Sequence, residues 1–111
     1  MAAIGTIVMH VTDAHRAAEF WARALGYVRR GDNPLILVPE DGSGPALALD
    51  ESDRMHLDLL TANAQEQQAE VERLISAGAE RVDWPYLGNA GFVVLADTEG
   101  NLFCVVNTSH R

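Results

Sequence analysis

A single cysteine, Cys104, leaves this sequence without any intrachain disulfide, and a chain with no such brace suits a reducing compartment. Positive charge is also scarce. Eight basic residues stand against sixteen acidic ones, for a formal net charge of -8, and apart from the neighbours Arg29 and Arg30 they are scattered. A surface of this sign repels phosphate, which argues against nucleic acid as a partner and against an anionic membrane. No apolar run approaches the roughly 20 residues that a spanning helix needs. The opening MAAIGTIVMH lacks a basic leader ahead of an apolar stretch, so it reads as a strand in place of a signal peptide, and the expected location is the cytoplasm.

What is present is enough for one globular domain over residues 1–111: 48% of the chain is hydrophobic and 22% charged. GTIVMHV is apolar and β-branched and is followed by the helix-capping types Thr12 and Asp13. The spacing of Ala17, Phe20, Trp21, Ala24 and Leu25 predicts an amphipathic helix from about Asp13 to Leu25, with Gly26 as its stop. Leu35 to Val38 and PALALD read as strands separated by the turn PEDGSGP, and MHLDLL follows as another. A second helix is predicted from about Asn63 to Ala77, with Asn63 and Glu66 spaced as a capping pair, Val71, Leu74 and Ile75 as the inward stripe, and Gly78 at its end. After it come a short strand in GAERVDW, another from Gly91 to Ala96 and a last from Asn101 to Asn107. The last two are joined by the hairpin turn Asp97-Thr98-Glu99-Gly100, too short for a calcium loop. The elements run strand, helix, three strands, helix, three strands, and are read as the order strand, helix, three strands twice, over about 4–50 and 55–107, with MHLDLL counted in the first run and opening the second unit.

Within MHLDLL, side chains on a strand alternate, so His56, Asp58 and Leu60 share one face and Met55, Leu57 and Leu59 the other. Burying an imidazole or a carboxylate without a partner costs on the order of a few kcal/mol, so the polar face must meet water, a hydrogen-bond network, a ligand or a metal. His56 is equally consistent with a strand histidine bonded to a backbone carbonyl, and Asp58 with a solvated strand end. His10 lies on the same strand face as Thr6 and Val8, close to the helix start, where a solvated role is common. Trp84 and Tyr86 stand in a loop beside Gly88 and Gly91, as pocket rim, dimer contact or plain packing.

AAEFWARALGY (17–27), MHLDLL with the helix and AGAERV after it, and VVLADTEGNLFCVV (93–106), in this order, resemble the glyoxalase-like branch of the vicinal oxygen chelate superfamily. The resemblance covers essentially the whole chain. It implies an α+β fold of two tandem βαβββ units whose sheets curl into a cup with the helices outside, and commonly a homodimer. In metal-dependent members of that superfamily four strands each bring one ligand, usually His or Glu. Carried onto this sequence, those positions are Thr6, a position in PALALD best placed at Ala48, His56 and Cys104. Only His56 matches cleanly.

The resemblance therefore implies a small organic molecule bound in the cup, with no cofactor expected and the metal-ligand set incomplete. Catalytic roles would fall to His56 and Asp58, and ligand contacts to Thr6, His10, Ala48, Trp84, Tyr86 and Cys104. The alternative is a metal-dependent lyase, isomerase or dioxygenase in which His56 holds zinc, nickel or iron, helped by Cys104 as thiolate and by Asp50.

Overall fold

The computed structural model describes residues 2–83 and 91–109. The chain divides into two compact units, Gly5–Met55 and His56–Arg111, the latter taking in the opening Met1–Ile4. The first contains β1 (Ala3–His10, from Gly5 on), α1 (Ala14–Leu25), β2 (Tyr27–Arg30), β3 (Asn33–Pro39) and β4 (Ala46–Asp50). Its strands lie in the order β2-β3-β4-β1, with the first two neighbouring pairs antiparallel and β4 parallel to β1. The second contains β5 (His56–Thr61), α2 (Ala64–Ser76), β6 (Glu80–Arg81), β7 (Phe92–Ala96) and β8 (Leu102–Asn107). Its order, β6-β7-β8-β5, repeats that pattern, again with two antiparallel pairs and then a parallel one. The architecture is α+β with the βαβββ order present twice, as the element order of the sequence implies.

In the first unit, Asp13 caps α1 by accepting the Arg16 N–H at 3.0 Å, and Glu51 accepts the Ala14 N–H at 2.8 Å. Two of the helix's otherwise unpaired amides are thereby satisfied. Gly26, at φ 69°, ends the helix in the left-handed conformation. The helix lies on Leu37, Leu47 and Leu49 through Ala14 and Ala18, which are both buried. This corrects the predicted stripe: Trp21 packs against that core, but Phe20 is 60% exposed and Leu25 47%. Small residues let the helix backbone settle close to the sheet. Phe20, two positions and about 200° round from Ala18, is then turned outward, where it meets Trp21 edge-on with ring centroids 5.1 Å apart. The strand β2, YVRR, has no apolar alternation to reveal it in the sequence and is mostly exposed.

In the second unit, Asn63 accepts the Glu66 N–H at 2.8 Å, while the Glu66 carboxylate reaches back to the Ala62 N–H at 3.1 Å. The predicted capping pair forms, with its return bond one residue earlier than in the standard box. Val71 meets Leu95 and Val105 in the core, and Leu74 lies against them. Ile75, predicted to face inward, is 37% exposed. Gln67 reaches the sheet instead, donating to the Val105 carbonyl at 2.9 Å and to the Gly91 carbonyl at 3.3 Å. After α2 the chain turns at Gly78, φ 121°, where an added Cβ would come within 2.9 Å of Thr98 Cγ2. The 97–100 turn is held by Asp97, whose carboxylate accepts from Glu99 N, Asn101 N and Asn101 Nδ2 at 2.8–3.0 Å. These bonds, that from the Asn101 side chain first, keep the Asp97 carboxyl below its ordinary range.

Glu70 is a buried acid on α2. Both its oxygens receive Arg73, at 2.7 and 2.8 Å, and Oε2 also accepts the Ala2 N–H at 2.7 Å. The Arg73 hydrogen bonds, then that from Ala2, lower its carboxyl pKa from 4.5 to about 2. A depressed pKa contributes stability that is complete above the unfolded value and disappears as pH falls through the folded one. Glu70→Gln should therefore cost about 2 kcal/mol near neutral pH. Urea unfolding should show its gap from the parent closing between pH 4.5 and about 2. Gly78→Ala, forced into an unfavourable φ against Thr98, should lower stability by about 1 kcal/mol or more in the same assay.

Candidate functional site

The strand pairings of the second unit decide which side chains share a surface. Asp58 stands opposite Cys104 in the parallel β5–β8 pair, and Val94 stands opposite Cys104 in the antiparallel β7–β8 pair. Leu57, Leu59, Val93, Leu95, Phe103 and Val105 therefore fall on one face, the one that Val71 and Leu74 of α2 cover. His56, Asp58, Val94, Cys104 and Val106 fall on the other. The register is pinned at one end: the Thr61 hydroxyl donates to the Val106 carbonyl, and the Thr108 N–H and hydroxyl both donate to the Thr61 carbonyl, at 2.8–2.9 Å.

On this face, turned away from α2, His56 Nε2 lies 3.4 Å from Asp58 Oδ1, and the two side chains are 14% and 26% exposed. A nitrogen of His56, an oxygen of Asp58 and the sulfur of half-buried Cys104 all lie within 4.8 Å of one another. The three atoms together, one N, one O and one S, make a donor set that could hold a metal ion. The carboxylate that the pairing brings to Cys104 is Asp58. Asp50, the helper named from the sequence, belongs to the Gly5–Met55 unit, where its Oδ1 accepts from the Ser52 N–H, the Ser52 hydroxyl and the Asp53 N–H at 2.7–3.0 Å. Those bonds, the Ser52 amide first, hold the Asp50 carboxyl below its ordinary range.

The other positions singled out from the sequence lie in the first unit or outside the described residues. Thr6, Val8 and His10 run along one face of β1, beside Ala46, Ala48 and Asp50 of β4, with Ile36 of β3 next to Ala48. That face is turned away from α1, whose core partners are Leu37, Leu47 and Leu49. Ala48 lines an open hollow of about 570 Å³ together with His15, Asn33, Ile36, Asp50 and Glu51. Its methyl group offers no atom to a cation. His10 is exposed, and its Nδ1 lies 2.8 Å from the Asp53 carbonyl, tying the end of β1 to the 51–54 bend. Trp84 and Tyr86 lie outside the described residues. Val94 and Val106, which flank Cys104 and form the apolar ground of the cluster, escaped sequence reasoning. Their alternation in FVVLA and LFCVVN was legible, but only the pairing register shows which alternate set accompanies His56.

Comparison with known proteins bears on the fold. Residues 6–106 match the family described as glyoxalase-like domain. Among solved structures, a Legionella pneumophila NAD-dependent benzaldehyde dehydrogenase superposes with a TM-score of 0.64 at 13% identity, covering 92% of this chain and 96% of that one. A Mycobacterium tuberculosis methylmalonyl-CoA epimerase gives 0.57 at 21%, covering 94% and 86%. Its Streptomyces coelicolor counterpart gives 0.53 at 19%, covering 94% and 95%. Identities this low speak for the fold alone. A search of curated proteins finds no match. With the family match spanning both βαβββ units, the chain belongs to the glyoxalase-like domain family of the vicinal oxygen chelate superfamily.

Proposed function

We propose that this domain binds a small organic molecule on the face of the β5–β8–β7 strands turned away from α2, with His56 and Asp58 as its polar anchor. One observation carries the reading: an imidazole and a carboxylate 3.4 Å apart, both mostly buried, rise from a surface otherwise made of Val94, Val106 and their neighbours. An apolar surface with a few convergent polar groups is the usual composition of a small-molecule site. The chemistry of the anchor narrows the ligand. Asp58 accepts hydrogen bonds, and the chain carries a formal net charge of -8, so an uncharged aromatic or alicyclic molecule with a hydroxyl or amide donor suits the face better than an anion.

The test is an amide chemical-shift titration of the whole domain with a panel of phenols and aromatic primary amides. The expected outcome is saturation by at least one of them below about 1 mM, with the largest shifts at residues 56–60, 92–96 and 102–106. His56→Ala should weaken that binding about tenfold, the loss of a hydrogen bond of roughly 1.4 kcal/mol. Shifts concentrated on α2, or none with any member of the panel, would overturn the proposal.

A further inference from the structure

We propose that the outward face of α1 is a self-association surface, on which α1 of a second copy of this chain lies antiparallel with the two Phe20 rings side by side at the centre. The whole surface belongs to the Gly5–Met55 unit, and the inference is independent of the small-molecule reading.

The helix presents this face because of what lies beneath it. Ala14 and Ala18 take the positions against the sheet, so Phe20 points outward and is, among the described residues, the most exposed large apolar side chain. At about 100° per residue, Ala17 and Ala24 stand some 40–60° to one side of Phe20, and Arg16 and Arg23 about as far to the other, with Glu19 beyond them. Phe20 is thus a ridge between two open hollows of about 560 and 550 Å³. Val11, Asp13, Arg16 and Ala17 line the first, and Arg16, Glu19, Arg23 and Ala24 the second.

A ridge beside a hollow can fit a copy of itself. A two-fold axis brings the same patch of both copies together, so that patch must be complementary to itself. Antiparallel pairing about position 20 sets each ring in a hollow beside the other, over the guanidinium groups that line it, a favourable place for an aromatic face. Alanine at positions 17 and 24 lets the two backbones approach closely.

Charge selects the occupant. With a formal net charge of -8, two copies of the chain repel each other. The α1 face is an exception: Arg16 lies 4.0 Å from Asp13 and Arg23 lies 3.5 Å from Glu19, two bases balanced by two acids in alternation along the helix. A second copy therefore meets a neutral stripe. In the antiparallel arrangement residue 23 stands level with residue 17 of the second copy, two residues or about 3 Å along the axis from its Glu19. Each Arg23 reaches the carboxylate of the other copy as readily as its own, while Arg16 stays with Asp13. Both members of the Arg23–Glu19 pair are well exposed, so little is lost in the exchange.

The size of the surface sets its strength. The 12 residues of α1 make about 18 Å of helix about 10 Å across, well short of the roughly 800 Å² per partner of a standard interface. The dimer is accordingly weak, with a dissociation constant on the order of 0.1 mM.

The experiment is sedimentation equilibrium of the full chain from about 10 µM to about 1 mM, a range that brackets this constant. The wild type should pass from monomer to dimer. Phe20→Glu should raise the dissociation constant about tenfold or more, whereas Ile75→Glu, the same change of charge at an exposed position of α2, should leave it unchanged. Glu19→Arg and Arg23→Glu should each weaken the dimer, and the two together should restore it, because the exchanged pair is then remade in the reverse sense. A wild type that stays monomeric throughout overturns the proposal and depends on no variant's folding. A dimer that Phe20→Glu leaves intact, or that Ile75→Glu weakens equally, also overturns it by placing the contact elsewhere. So does failure of the double substitution to restore what either single one loses.

Discussion

The parallel pairing of β5 with β8 is the constraint on which the candidate site depends. Side chains alternate along both strands, so a slip of one residue would carry Cys104 to the α2 face and set Phe103 or Val105 beside Asp58. Each end of the arrangement resists that slip. At one end the Thr61 and Thr108 hydroxyls bridge the strands. On the helix side, Gln67 is anchored to the Val105 carbonyl, and Leu95 and Val105 are fully buried beneath Val71. Moving Val105 out of that core would forfeit about 1.5–3 kcal/mol for the one side chain, before any loss at Leu95. Apolar packing on one face thus fixes the placement of polar groups on the other.

The same division of labour appears in the first unit, where Leu37, Leu47 and Leu49 sit beneath Ala14 and Ala18. There the face turned away from the helix carries Thr6, Val8 and Ala48, and its polar members at the strand ends are occupied with the chain itself: His10 with the Asp53 carbonyl, Asp50 with the turn at Ser52. Two units of one topology have therefore diverged in what they present. One offers small and apolar side chains, the other a nitrogen, an oxygen and a sulfur within 4.8 Å. Repetition of a fold does not entail repetition of its chemistry, because alternate positions on the strand face away from the core can change without disturbing the helix-covered side.

Much of this was legible in the order of residues. Local signals, those that act within about one helical turn or one tight turn, were reliable: Asp13 and Asn63 cap the helices, Gly26 ends the first, and the Asp97–Gly100 turn joins β7 to β8. Strand alternation placed His56 and Asp58 together. The helix stripes were less legible, as Phe20 and Ile75 show, because periodicity defines a broad apolar arc and the close approach of Ala14 and Ala18, or the reach of Gln67, decides which part of it meets the sheet. The edge strand YVRR was hidden for a related reason: an exposed edge needs no apolar pattern.

Glyoxalase-like membership and the doubled strand-helix-strand order were determined by sequence, since capping residues, glycine stops and apolar periodicity are local and survive without knowledge of partners. The company that Cys104 keeps was decided only by tertiary structure. Residues 58 and 104 are far apart along the chain, and nothing in either neighbourhood states a register. That register follows from burying Leu95 and Val105 under α2, a long-range packing requirement that brings Asp58 to the thiol.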